Sequence, residues 1–158
     1  MTDARRAASS TKMTGWPWNL ETLPEPLIPV DRTFEGFLGL SWIELTTSSA
    51  RVSFEVRENL TQPLGLLHGG IYSAVAETVA SVATVHAVWR DGFIGSGLSN
   101  TASFLRPITT GTVHVAARAR HHDEREWLWA HEFTDEWERL CALVDVTIAV
   151  RPLASPAV

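Results

Sequence analysis

At 158 residues, with 45% hydrophobic and 20% charged side chains, the chain has the make-up of one globular domain able to bury a sizeable core. A net charge of −5 argues against a general nucleic-acid surface and leaves room only for a local basic patch facing a phosphorylated ligand. A single cysteine, Cys141, excludes an internal disulfide and is compatible with a reducing, cytoplasmic setting.

Residues 1–14 are polar, with Arg5, Arg6 and Lys12 and no apolar run, which predicts a loose tail and no secretory signal. Trp16 and Trp18 flank Pro17 and are expected to anchor that tail. Pro24, Pro26 and Pro29 make residues 23–30 extended and irregular, and residues 34–40 form a short apolar lead-in around Gly36 and Gly39. The expected boundaries are a tail and lead-in over 1–33, one folded domain over 34–152, and a C-terminal tail over 153–158.

Residues 41–47 and 51–57 read as two strands, with the turn at 46–50. In the second strand Val52, Phe54 and Val56 alternate with Arg51, Ser53, Glu55 and Arg57, the period of a half-buried strand. From Ile71 to Arg90 no Gly or Pro interrupts a run rich in Ala and Val, and Asp91-Gly92 closes it. That run predicts one central helix. About 20 apolar residues would also span a bilayer. Ser73, Glu77, Ser81, Thr84 and His86 inside the run favour a soluble core, because a lone acid in lipid is costly.

Four more strands follow, over 95–105, 111–121, 126–134 and 140–151, joined by short polar turns. Trp127, Trp129, His131 and Phe133 share one face of the third of these. An antiparallel sheet of five or six strands needs one covering layer, and the single apolar helix supplies it. The expected class is therefore α+β, with the sheet curled around the helix. The far face of the sheet is expected to carry the tryptophans, which points to a dimer.

The chemistry-bearing residues cluster around the helix. His68-Gly69-Gly70 stands at its start, where glycines either permit a crowded turn or expose backbone N–H groups to a developing oxyanion. Ser73, Glu77, Ser81 and Thr84 fall on one stripe. Glu77 is thus a carboxylate on an apolar helix, about two turns or ~11 Å from that start, and must be paired, hydrogen-bonded or used. Gln62 lies in the preceding loop, either solvated or placed to orient a carbonyl or water. His114, His121, His122 and His131 lie on one hairpin, but no acid or cysteine completes a ligand-spaced set, so no metal site is expected. Cys141 reads as a small buried apolar residue. Gly95-Ser96-Gly97 is neither a phosphate loop nor a dinucleotide fingerprint, and no G-x-S-x-G elbow occurs.

The segment TQPLGLLHGGIYSAVAETVASVATV resembles the acyl-CoA thioesterases of the hot-dog fold. Within these it is most similar to the 4-hydroxybenzoyl-CoA thioesterase type, which carries its catalytic Glu on the central helix. The likeness continues through GLSNTASFLRPI, EWLWAHEFTDEWERLCA and TIAVRP, across residues 34–152. The resemblance implies hydrolysis of an aromatic acyl-CoA, 4-hydroxybenzoyl-CoA or a related benzoyl-type thioester. It implies no cofactor, since coenzyme A is part of the substrate, and no nucleic-acid or membrane partner. By the same resemblance Glu77 is nucleophile or general base and Gly69 N–H polarises the carbonyl. Gln62 and His68 support the carbonyl and the loop, and Ser81 positions the Glu or its water. Gly70 and Arg106 meet the CoA moiety, and the assembly is a homo-oligomer, a dimer of dimers.

The pattern departs in three places. Glu124 and Arg125 stand where relatives carry a Ser-Thr pair, and Ala154 stands where they carry an Arg. Arg125 or Arg151 would then take the nucleotide. Val82 replaces an acid, which implies a less polar acyl ring. Other readings compatible with the resemblance are a non-catalytic acyl-CoA binding or regulatory module, and a thioesterase for phenylacetyl or medium-chain acyl-CoA. A hot-dog hydratase would need an Asp with a spaced His at the helix start, and no such Asp lies there.

Overall fold

A computed structural model describes Pro17 and residues 22–153; the expected anchoring by Trp16 and Trp18 lies outside the described residues. A short helix α1 (Phe34–Leu38) leads in, capped by the Thr33 side chain and ended by Gly39 in the left-handed region at φ 68°. Strands β1 (Ser41–Leu45) and β2 (Ser49–Glu55) form a hairpin. Helix α2 (Gly69–Val88) runs into one 3₁₀ turn, Trp89–Asp91, and stops at Gly92 with φ 83°. Strands β3 (Phe93–Phe104), β4 (Thr112–His122), β5 (Glu126–Thr134) and β6 (Leu140–Pro152) complete the chain.

The six strands make one antiparallel sheet in the order β1-β2-β4-β5-β6-β3. The α2 crossover carries the chain from the β2 side of the sheet to its opposite edge, so β3 becomes an edge strand beside β6. The sheet wraps α2, which is the hot-dog arrangement that the resemblance implies. The strand count among the described residues is six, and the turn between β1 and β2 is tighter than expected, at 46–48, because β2 begins at Ser49. Thr46 closes that turn by accepting the Ser48 and Ser49 amides on its hydroxyl.

Small residues let the sheet close on the helix. Val75, Ala76, Val79, Ala80 and Ala83 of α2 are fully enclosed. The helix is long and apolar enough to cross a membrane by composition, yet it is the core helix of this domain. Against it lie Trp42, Val113, Trp129, Phe133, Val144 and Ile148, all at most 1% exposed.

Trp127 and Trp129 correct the sequence reading: they do not lie on the far face. Their indoles stack at 6.0 Å on the helix side, and Trp129 Nε1–H donates to Thr84 Oγ1 at 2.9 Å. A buried indole N–H needs an acceptor, and Thr84 is the one the helix supplies. Thr84 therefore leaves the polar stripe for the core, while Ser73, Glu77 and Ser81 stay half-buried.

His131 is the one imidazole placed in the core among the described residues, at 1% exposure. Its Nδ1 pairs with the Val144 carbonyl at 3.0 Å, and its Nε2 has no partner. Burial pushes its pKa from 6.5 down to about 4. The unfolded chain therefore binds the extra proton first, and stability falls as pH drops from 6.5 toward about 4. The gap corresponds to about 3 kcal/mol at full effect. Unfolding midpoints in urea should fall across that window, and His131→Gln should flatten the fall. An equally steep decline in the variant would remove His131 as its cause.

Candidate active site

The loop before α2 is held by backbone pairing. Gln62 N–H donates to the Leu66 carbonyl at 2.9 Å, Gly65 N–H to the Gln62 carbonyl at 2.8 Å, and His68 N–H to the Leu60 carbonyl at 2.9 Å. His68 is the N-cap of α2: its Nδ1 accepts the Gly70 amide at 2.9 Å, and its carbonyl accepts the Ile71 amide at 2.9 Å. With Nδ1 as acceptor, the neutral ring carries its proton on Nε2. These two bonds leave the Gly69 N–H without an acceptor among the described residues. It is the orphan donor of a helix start, pointing where an anion is favoured.

The two glycines serve close approach and not unusual backbone angles, since neither has positive φ. A Cβ at Gly69 would lie 3.1 Å from the Phe104 ring, and one at Gly70 would lie 3.1 Å from His68 Nδ1. Phe104, at the end of β3, also packs on Tyr72, with ring centroids 5.5 Å apart.

Glu77 sits midway along α2, facing β3. Its Oε2 accepts Asn100 Nδ2–H at 3.2 Å, and the same amide donates to the Ser73 carbonyl at 2.9 Å. Its Oε1 lies over Gly97, where a Cβ would overlap it. The carboxylate borders a cavity of about 160 Å³ lined by Glu35, Glu77, Thr78, Ser81, Val82 and Val85. Ser81 thus shares the Glu77 cavity as its spacing predicts.

Asn100, Gly97 and Glu35 did not emerge from the sequence. Gly97 did leave a trace there, because a glycine inside a strand marks close approach of another group. Asn100 left none, since its partner is 23 residues away on another element.

The arginines divide between two ends of the protomer. Arg106 is exposed just beyond β3, its N–H donating to the Cys141 carbonyl at 3.0 Å, near the start of α2. Arg125 and Arg151 line a cleft of about 990 Å³ beside Val88, Asp91 and the end of β4. Ten residues of β3 separate the two ends, roughly 33 Å of strand. Within one protomer these three arginines do not form one set.

In the cleft, His122 stacks on Trp127 at 4.3 Å. Asp123 accepts the amides of Arg125 and Glu126 at 2.7 and 2.9 Å, and these backbone bonds hold its carboxyl below the usual range. Cys141 is buried, and burial raises its thiol pKa, so it stays protonated core material. Among the described residues, no group of three His, Cys, Asp or Glu side chains could hold a metal ion.

Residues 64–142 match the family model of the thioesterase superfamily. A Mycobacterium tuberculosis protein carrying an esterase name is 35% identical over 127 residues, which are 78% of this chain and 91% of that protein. Its solved structure has a TM-score of 0.74 at 33% identity, covering 77% of this chain and 98% of that one. A 1,4-dihydroxy-2-naphthoyl-CoA hydrolase of Listeria monocytogenes is 32% identical over 72% of this chain and 92% of its own. The structure of a Haemophilus influenzae thioesterase has a TM-score of 0.75 at 26% identity, covering 82% and 90%.

The Gly97 contact is testable without unfolding the protein, because the group in the way is the end of a flexible side chain. Gly97→Ala should leave the thermal midpoint unchanged or slightly raised, as Ala in a strand loses less entropy than Gly. It should slow thioester hydrolysis by about a hundredfold, because the added methyl displaces the Glu77 carboxylate by ~1 Å. Full activity in a folded variant would show that the carboxylate position is immaterial.

Proposed function

The chain belongs to the thioesterase superfamily and has its hot-dog fold, and from that premise we propose that it hydrolyses an aromatic acyl-CoA, a benzoyl-type thioester or a close relative, with Glu77 as nucleophile or general base. One observation carries the reading: the Glu77 carboxylate is held at fixed orientation beside a small, largely apolar cavity, on a helix that starts with an unengaged amide. The aromatic class is supported by the Listeria relative, named as a naphthoyl-CoA hydrolase. It is also supported by Val82 and Val85 in the cavity wall, which suit an unsubstituted ring face.

Thioester cleavage needs a donor at the carbonyl oxygen and a base or nucleophile at the carbon. Gly69 N–H would hold the oxyanion. As general base, Glu77 would take a proton from the attacking water, and the tetrahedral adduct would expel the CoA thiolate, which picks up that proton. As nucleophile, Glu77 would attack the carbonyl carbon and expel the thiolate, leaving an acyl–Glu77 anhydride; a water would then hydrolyse the anhydride, release the acid and supply the thiolate's proton. Gln62 and His68 shape the loop under the carbonyl, and Ser81 steadies the carboxylate or the water.

Gly69 and Glu77 are eight residues apart on one helix, about 12 Å along its axis. That is too far for both to act on one carbonyl. The proposed catalytic unit is therefore two copies, with the donor from one helix and the carboxylate from the other. Strand β3 is the edge that would pair: it carries Ile94, Leu98 and Phe104 exposed, and Leu105 follows it. Leu128, Leu140 and Leu143, exposed on β5 and β6, offer a second apolar surface for a dimer of dimers.

In such an assembly Arg106 and the Arg125–Arg151 cleft, at opposite ends of β3 in one protomer, would reach a CoA phosphate from different protomers. Gly70 would back the acyl end. Coenzyme A enters as substrate, and its thioesters suit the cytoplasmic setting.

Glu77→Gln should lose at least a hundredfold in hydrolysis while retaining acyl-CoA binding, measured by thiol release and by calorimetry on a panel of benzoyl, phenylacetyl and medium-chain thioesters. Near wild-type turnover in that variant would defeat the assignment. Best turnover on an aliphatic member would move the substrate class. Leu98→Asp should convert the oligomer to monomer in sedimentation and abolish turnover, whereas an active monomer would refute the two-copy site.

A further inference from the structure

We propose that Asn100 is a positioning residue for the Glu77 carboxylate: its side-chain amide ties that group to the helix backbone and fixes the direction in which it points. The proposal rests on the thioesterase reading above.

Three observations support it. First, both acceptors of the Asn100 amide belong to α2. Nδ2 donates to the Ser73 carbonyl at 2.9 Å and to Glu77 Oε2 at 3.2 Å. Ser73 is one helical turn before Glu77, so one NH₂ group spans a fixed backbone point and the movable carboxylate. Second, the orientation of the amide is dictated. Both neighbours accept only, so the oxygen cannot face them, and Oδ1 is left buried with no partner. A buried unpaired acceptor is destabilising, and the fold tolerates it to keep both donors on α2. Third, Gly97 closes the other side. Its missing side chain leaves room for Oε1, so the carboxylate lies between a donor and a bare strand.

Among the described residues, Asn100 is the side chain that bonds the Glu77 carboxylate, so the direction in which that carboxylate points depends on it.

The test compares Asn100→Ala and the isosteric Asn100→Asp with the wild-type enzyme on a benzoyl-type CoA. Both should lower kcat, Ala by about tenfold or more, with KM little changed, because orientation and not binding is lost. A purely structural asparagine would lower the unfolding midpoint and leave kcat in the folded variant unchanged. Unchanged kcat in either folded variant, or a loss that appears in KM instead, overturns the proposal. Glu77→Gln separates the two ideas: if it stays active, the reading of Glu77 fails; if it is inactive while the Asn100 variants behave as wild type, only this inference does.

Discussion

The structure turns on one carboxylate that the core helix cannot bury by itself. Helix α2 is wrapped by a sheet, and the residues that allow the wrap are Ala and Val. Glu77 in that company would be expensive if enclosed without partners. The fold solves this at the edge of the sheet, where β3 crosses the helix. There an Asn supplies two donors to the helix and a Gly removes a side chain. Moving the charge two turns along, to the position of Thr84, would place it under Trp129, in a region sealed by indole.

The same helix sets the distance on which the two-copy proposal rests. A helix start provides a free amide, here at Gly69, and His68 engages the next two amides without covering it. The carboxylate has to sit further along, where β3 can hold it. A rigid rod fixes their separation, so no rearrangement within one chain brings them onto one carbonyl. In that proposal the exposed apolar residues of β3 would be covered, and an edge strand so long is a liability when left unpaired.

Much of the architecture was legible because it depends on local patterns. An uninterrupted apolar run bounded by glycines made α2 readable. Period-2 alternation gave β5 its observed limits and placed Trp127, Trp129, His131 and Phe133 on one face. The pattern does not say which face is inside. The tryptophans were expected outside, and the structure puts them against the helix, where Thr84 can accept an indole N–H. The helical stripe misled in the same way: Thr84 has the spacing of Ser73, Glu77 and Ser81 but belongs to the core. Asn100 escaped because nothing local distinguishes it from any other polar residue of an exposed strand.

By itself the sequence determined what short-range chemistry can determine: the order of elements, the glycine-opened helix start, and a single acid on an apolar helix. These follow from backbone freedom and side-chain period, which act over a few residues. Only the tertiary structure decided how that acid is held, because Asn100 and Gly97 reach it across 20 or more residues of chain after a crossover to the far edge of the sheet. It also decided that Arg106 and the pair Arg125 and Arg151 stand at opposite ends of a protomer. Such juxtapositions are consequences of strand order and register, and no local pattern encodes them.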